Sequence, residues 1–273
     1  MYIIATFYHF FDFPDFAEKK PPLMAELQRL GIKGSLLVAS EGINGTLAGT
    51  REAINEFLAH LQTDIVRDAF EHKESLWDRQ PFQRAKVRLK KEIISLGVSL
   101  PPKGGAIHYV EARDWNQLLT DPDVIVIDAR NHYEVHLGTF ERAIDPNIRT
   151  FKQLPAFVKK TLDPAQHKKI ATFCTGGIRC EKFSAWLIGQ GFDQVYQLKG
   201  GILKYLEDMP ASASRWRGEC YVFDERVAVG HRLEPSQNAT MCPACGHALT
   251  AEDRAHPHYV EAESCRFCKT KYR

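Results

Sequence analysis

Ile170-Ala171-Thr172-Phe173-Cys174-Thr175-Gly176-Gly177-Ile178-Arg179-Cys180 joins a short, largely apolar run to a glycine-rich loop headed by a cysteine. Such a run suits a strand buried in a parallel sheet, and Cys180–Gly191 reads as the helix that follows. Working outward, Val124–Ile127 and Gln194–Leu198 repeat the strand pattern, the second closed by Gly200-Gly201. Strand–helix units over residues 108–212 predict a doubly wound α/β domain, in which ligands bind where strands end and helices begin. Cys174 stands at such a place.

The chemistry of the loop follows from its residue types. Thr175, Gly176 and Gly177 allow a tight bend that turns several backbone N–H groups inward. With Ile178 leading into the positive end of the next helix, these donors favour an anion at the loop centre. A thiolate is such an anion. Cys174 is therefore expected to be a nucleophile of lowered pKa, and a persulfide on its sulfur would be held in the same way. Arg179 adds a cation, and its removal is expected to weaken the anion site while leaving the fold intact. Cys180 has two readings. It is a resolving thiol that forms a disulfide with Cys174, or a first-turn helix residue packed inward.

Residues 1–100 alternate strand-like and helix-like segments. Tyr2–Phe11 and Lys33–Ser40 read as strands; Pro21–Leu30 and Thr50–Leu61 read as helices, the second capped by Thr50. Ile43-Asn44-Gly45-Thr46 carries the Asn-Gly pair expected of a hairpin turn, and Arg84–Leu96 is strand-like again. This order predicts a ferredoxin-like (acylphosphatase-like) α+β sandwich. Pro101-Pro102-Lys103-Gly104-Gly105 reads as a linker. Within Gln83–Lys91, Arg84, Lys86, Arg88 and Lys90 fall on one face of a strand and Ala85, Val87 and Leu89 on the other. Four cations in a row can track a phosphate backbone. They can equally be a solvated sheet face, because the first hundred residues hold 13 basic and 13 acidic side chains.

Past Pro210 the periodicity fades, and residues 213–273 form a cysteine-rich segment. Cys242-Pro243-Ala244-Cys245-Gly246 and Cys265-Arg266-Phe267-Cys268 are knuckles separated by 19 residues. Two such pairs suit a tetrahedral, structural zinc site of the ribbon type. Gly246 permits the turn, and His247 is read as a bystander. Cys220 has no assigned role. Seven cysteines, an odd number, argue against a disulfide framework. The net charge of +2 over 273 residues excludes polyanion binding by bulk charge, so nucleic-acid binding must rest on a local patch. No organic-cofactor motif is present, and no apolar run approaches the ~20 residues needed to cross a bilayer. Met1–Phe7 has no basic region or cleavage site, so the expected compartment is the cytosol, with no membrane partner.

Asp128-Ala129-Arg130, Glu134, Gly138-Thr139-Phe140-Glu141-Arg142-Ala143-Ile144 and the Cys174 loop together resemble a rhodanese domain over Asp123–Pro210, with Thr139 where a histidine is usual. The resemblance implies that Cys174 carries sulfur as a persulfide, supported by Asp128 and Arg130. Four residues separate Cys174 from Arg179, one fewer than in the related phosphatases, and the smaller ring suits a sulfur anion better than a phosphate. Ala39–Thr46, His72–Ser75, Lys86–Glu92 and Gly218–Asp224 extend the similarity to about residues 1–230. Over that span the chain resembles the rhodanese-related tRNA uridine hydroxylase family. This resemblance implies oxygen-dependent 5-hydroxylation of a tRNA wobble uridine to 5-hydroxyuridine. It also implies that Cys174 is essential, dioxygen is the co-substrate and the tRNA anticodon loop is the partner. One alternative is a sulfurtransferase that takes sulfur from a donor and passes a persulfide to a small thiol or protein acceptor. The other is a non-catalytic rhodanese-fold binding module. A small-molecule sulfurtransferase would not require the basic strand.

Overall fold

The structure, a computed structural model, describes residues 1–100 and 106–269; the linker read at Pro101–Gly105 lies outside the described residues. The chain divides into two compact units, Met1–Ser95 and Leu96–Arg273.

The first unit runs β1 (Tyr2–Phe10), α1 (Lys20–Arg29), β2 (Lys33–Ala39), β3 (Gly42–Gly49), α2 (Arg51–His60), β4 (His72–Trp77) and β5 (Ala85–Leu89). Its sheet order is β4-β1-β3-β2-β5. The first four strands are antiparallel neighbours with the ferredoxin-like connection, and β5 adds an edge strand parallel to β2. Prolines open α1, whose Leu23 and Leu27 lie one turn apart and are buried. Thr50 caps α2 by accepting from the Ala53 N–H at 3.2 Å, and Ile54 and Phe57 carry that helix into the core.

Two expectations change here. Asn44-Gly45 does not form the hairpin turn; it lies inside β3, paired with β1 and β2. The turn is Ser40-Glu41, and Gly42 has φ +137. Gly45 is small because a Cβ there would come within 2.8 Å of the Phe7 ring, and Asn44 Nδ2 donates to the Ile93 carbonyl at 3.0 Å. The strand expected over Arg84–Leu96 stops at Leu89. Beyond it the chain is irregular, with the Ile93 N–H donating to the Glu41 carboxylate at 2.7 Å.

The second unit opens with β6 (His108–Val110), α3 (Ala112–Leu118), β7 (Val124–Asp128), α4 (His132–Val135) and β8 (Gly138–Phe140). It continues with α5 (Leu154–Thr161), β9 (Lys169–Phe173), α6 (Ile178–Gly189), β10 (Gln194–Leu198) and α7 (Gly201–Asp208). The parallel sheet has the order β6-β10-β9-β7. Phe140 centres an aromatic core, meeting Phe173, Tyr205 and Trp216 edge-on at 4.7–5.0 Å between ring centroids. Helix α6 starts at Ile178, two residues earlier than expected, because Gly177 at φ +105 already ends the loop. The rest comprises β11 (Trp216–Gly218), β12 (Cys220–Tyr221), β13 (Ala228–Val229), β14 (Thr240–Met241), β15 (Ala248–Leu249), α8 (Ala251–Ala255) and α9 (Arg266–Lys269). Strand β11 pairs with β8, so the segment after residue 213 joins the same unit as the parallel sheet. No helix among the described residues is long and apolar enough to cross a membrane.

Candidate functional site

Cys174 follows directly on β9, is fully buried, and sits where that strand hands over to α6. The Gly177 N–H donates to its Sγ at 3.2 Å. Burial on its own raises the thiol pKa. The hydrogen bond from the Cys180 thiol, the Arg179 charge and the N–H groups of Cys180 and Arg179 outweigh it and lower Cys174 to about 6. Cys180, in the first turn of α6, is pushed well up by burial and by the neighbouring Cys174. The two thiols thus form an unequal pair, with Cys174 as the anion and Cys180 as the donor. Gly201 completes the floor of the loop. Ile202 and Leu203 donate to the carbonyls of Cys174 and Thr175 at 2.9 and 3.0 Å. A Cβ on Gly201 would lie 2.5 Å from the Cys174 carbonyl oxygen, so no larger residue allows α7 this close.

Arg179 is more than a free cation at the loop's end, so its removal is expected to cost stability as well as to weaken the anion site. Its guanidinium is buried in a bidentate pair with Glu134, Nη1 to Oε2 at 2.7 Å and Nη2 to Oε1 at 2.6 Å. Glu134, on α4, also accepts from the Asn131 N–H at 3.1 Å and the Thr175 hydroxyl at 3.4 Å. Burial raises the Glu134 carboxyl, and the Arg179 charge overrides it and lowers it. Loss of Arg179 would strand a buried carboxylate, the costly way to break such a pair. Asp128 and Arg130 form a second buried fork, Nε to Oδ1 at 2.9 Å and Nη2 to Oδ2 at 2.7 Å. Arg130 also donates to the Gly138 carbonyl at 2.6 Å, which ties β7 to β8. Thr139, where a histidine is usual, donates its hydroxyl to Asp128 at 2.8 Å. Asp128 and Arg130 therefore act as a brace for the segment that bears Glu134.

On β5 the Val87 side chain points into the core while Arg84, Arg88 and Lys90 are exposed and Lys86 is half-buried. Lys86 and Arg88 lie within β5, Arg84 and Lys90 flank it, and burial along the strand does not follow a strict alternation. The apolar back does not extend to Leu89, which is exposed at the end of the strand. Cations on an edge strand also keep it from pairing with another chain.

Cys242, Cys245, Cys265 and Cys268 bring their sulfurs within 4.8 Å of one another. Cys245 and Cys265 are 3.6 Å apart at sulfur, and Cys265 and Cys268 3.7 Å. A tetrahedron with metal–sulfur bonds of ~2.3 Å has edges of ~3.8 Å, so the cluster fits a metal such as zinc. Gly246 takes φ +70 in the first knuckle. His247 is not among the four and stacks instead on Phe267 at 3.9 Å. Between the second knuckle and α4 stands buried Asp253, paired with Arg266 at 2.7 Å and with His136 at 2.7 Å.

Glu134 and Gly201 were visible in the sequence, as part of the rhodanese-like segment and as a strand terminator. Their partners in space were not. Repetition of the Asp-x-Arg pattern is the local signal for the second turn, Asp224-Glu225-Arg226, and no local pattern marks Tyr133.

Residues 2–93 match the UPF0176 acylphosphatase like domain and residues 111–208 match the rhodanese-like domain. The two together are consistent with the UPF0176 family. Among solved structures, the rhodanese-like domain of an Anabaena protein is 19% identical, covering 40% of this chain and 78% of that one, with a TM-score of 0.34. A rhodanese-like domain protein of Staphylococcus aureus is 20% identical over 36% of this chain and 91% of that one, with a TM-score of 0.30. An acylphosphatase of Coxiella burnetii is 15% identical over 32% and 90%, with a TM-score of 0.24.

Proposed function

We propose that this chain is a tRNA-modifying enzyme that converts the C5–H of a wobble uridine to C5–OH with dioxygen, using Cys174 as its essential thiol. The observation that carries the reading is the Cys174 sulfur held by the Gly177 N–H at 3.2 Å, in a chain that also carries four cations on and flanking an edge strand. In this reading Arg84, Lys86, Arg88 and Lys90 hold the RNA backbone, and the second unit supplies the chemistry. An anticodon loop suits a recessed thiol, since its bases are already unpaired and leave the stack at little cost. Insertion of one oxygen atom sends the other out as water and takes up two electrons and two protons. The Cys174 thiolate and the Cys180 thiol supply the two electrons and one proton on closing to a disulfide, solvent supplies the second proton, and an external thiol then reopens the disulfide. Nucleoside mass spectrometry of tRNA from cells lacking the protein tests this. 5-Hydroxyuridine should be lost, then restored by the parent gene but not by Cys174→Ser; an unchanged level sinks the reading.

The N–H groups trained on the Cys174 sulfur support a second reading, a sulfurtransferase carrying a persulfide on Cys174. Mass analysis after incubation with thiosulfate, followed by transfer to a small thiol, distinguishes the two.

A further inference from the structure

Phe223 lies outside the Cys174 loop and is 56% exposed. The turn that presents it is built for rigidity. Arg226 and Asp224, both buried, form a fork, Nε to Oδ1 at 2.8 Å and Nη2 to Oδ2 at 2.6 Å, and the Arg226 N–H adds 3.0 Å to Oδ1. The Val222 N–H donates to the Val227 carbonyl at 2.9 Å, and the Val227 N–H to the Asp224 carbonyl at 3.0 Å. Val227 takes φ +64, strained for a β-branched residue, while the Ala228 N–H closes on the Arg226 carbonyl at 2.7 Å. Burying an ion pair costs desolvation, and the positive φ adds strain. Both are spent on holding a turn whose tip is an apolar ring in solvent. A ring fixed in this way loses little conformational freedom on binding.

The neighbours of the ring indicate its ligand. Phe223 meets Tyr221 edge-on at 5.1 Å, and Tyr221 meets Tyr133 edge-on at 5.3 Å. Tyr133 immediately precedes Glu134, and its hydroxyl lies in the field of Arg179. An aromatic row therefore runs from the exposed ring to the residue beside the Glu134–Arg179 pair that closes the Cys174 loop. A single apolar ring, followed at the tip by exposed Glu225, is too small an area for a protein partner. It is sufficient for one flat π surface.

We propose that Phe223 is a nucleobase-stacking residue, which takes an unpaired base flanking the one acted on at Cys174. The proposal rests on the tRNA reading. The probe is a fluorescein-labelled tRNA anticodon stem-loop with uridine at the wobble position, and the control is a fully paired duplex of the same length. Phe223→Ala should weaken stem-loop binding roughly tenfold, the scale of one stacked base, and leave duplex binding alone. Phe223→Trp should restore affinity. The slope of log K against log salt should stay that of the parent, because no phosphate contact is lost. Stem-loop affinity within twofold of the parent for Phe223→Ala, or an equal loss on the duplex, overturns stacking alone. Failure of the parent itself to bind the stem-loop removes the tRNA reading, and stacking falls with it.

Discussion

At Cys174 the protein itself supplies the groups that hold a sulfur anion: the Gly177 N–H at 3.2 Å, the Cys180 thiol and the Arg179 charge. At the four-cysteine cluster, burial pushes Cys265 up to about 12 and also raises Cys245, and the next influences are backbone N–H groups and the other thiols. One site is preorganised to favour a lone thiolate. At the other, the Cys265 N–H lowers Cys268 while burial raises Cys245 and Cys265, so a cation is needed to gather the full set of thiolates, which it would then make inert. Equal residue types thus favour a lone anion in one place and suit a metal in the other, according to where the compensating charge resides.

Removing the metal should have the largest effect. Four-cysteine sites of this kind contribute apparent binding free energies of about 10–16 kcal/mol to the folding of small zinc peptides. Protein purified without chelators should hold one metal per chain by elemental analysis. Chelation should lower the unfolding temperature and expose four further cysteines to alkylation. An absence of tightly held metal in reduced protein, or no change in alkylation on chelation, removes the contrast between the sites.

Next in size is the buried pair. Arg179→Ala should cost about 3–5 kcal/mol in denaturant unfolding, because Glu134 is left charged and unpaired. The double variant Arg179→Met, Glu134→Leu should recover most of that loss. A cost near zero for Arg179→Ala would mean that the arginine serves the anion alone.

The titration of Cys174 sharpens the comparison further. Thiolate absorbance of the parent minus that of Cys174→Ser should rise with a midpoint near 6, against ~8.5 for a free cysteine. The folded pKa is depressed, so the stabilisation is fully present above the unfolded value and is lost as pH falls through the folded one. Parent and Cys174→Ser stabilities should therefore diverge as pH rises from about 6 to about 8.5. A midpoint at or above that of a free cysteine would show that the loop does not favour the anion.

The smallest effect per residue is expected on β5. Replacing Arg84, Lys86, Arg88 and Lys90 with Gln should flatten the salt dependence of tRNA binding by roughly 0.7–0.9 per lost contact. Unaltered binding and slope at physiological salt would leave the row as protection of a sheet edge.

Periodicity and turn chemistry made most of both units legible. The apolar runs at β7, β9 and β10 and the Thr50 cap fall where local preference and burial agree. Asn44-Gly45 misled because a dipeptide preference of turns was overridden by packing. Phe7 needs a neighbour without a Cβ, and the two-residue turn at Ser40-Glu41 had already set the register.

The sequence by itself determined which thiols are candidates for chemistry and for a metal. A cysteine after a buried strand, glycines behind it and a helix next fix an anion-favouring loop, because those effects act over a few neighbouring residues. The spacing of the two cysteine knuckles likewise marks out a four-cysteine cluster that could hold a metal. Only the tertiary structure decided that Arg179 is held by Glu134 from 45 residues away, that Gly201 brings α7 onto the loop, and that Phe223 stands exposed on a locked turn. Those are contacts between segments remote in the chain. Their energies depend on burial and mutual geometry, which no local pattern encodes.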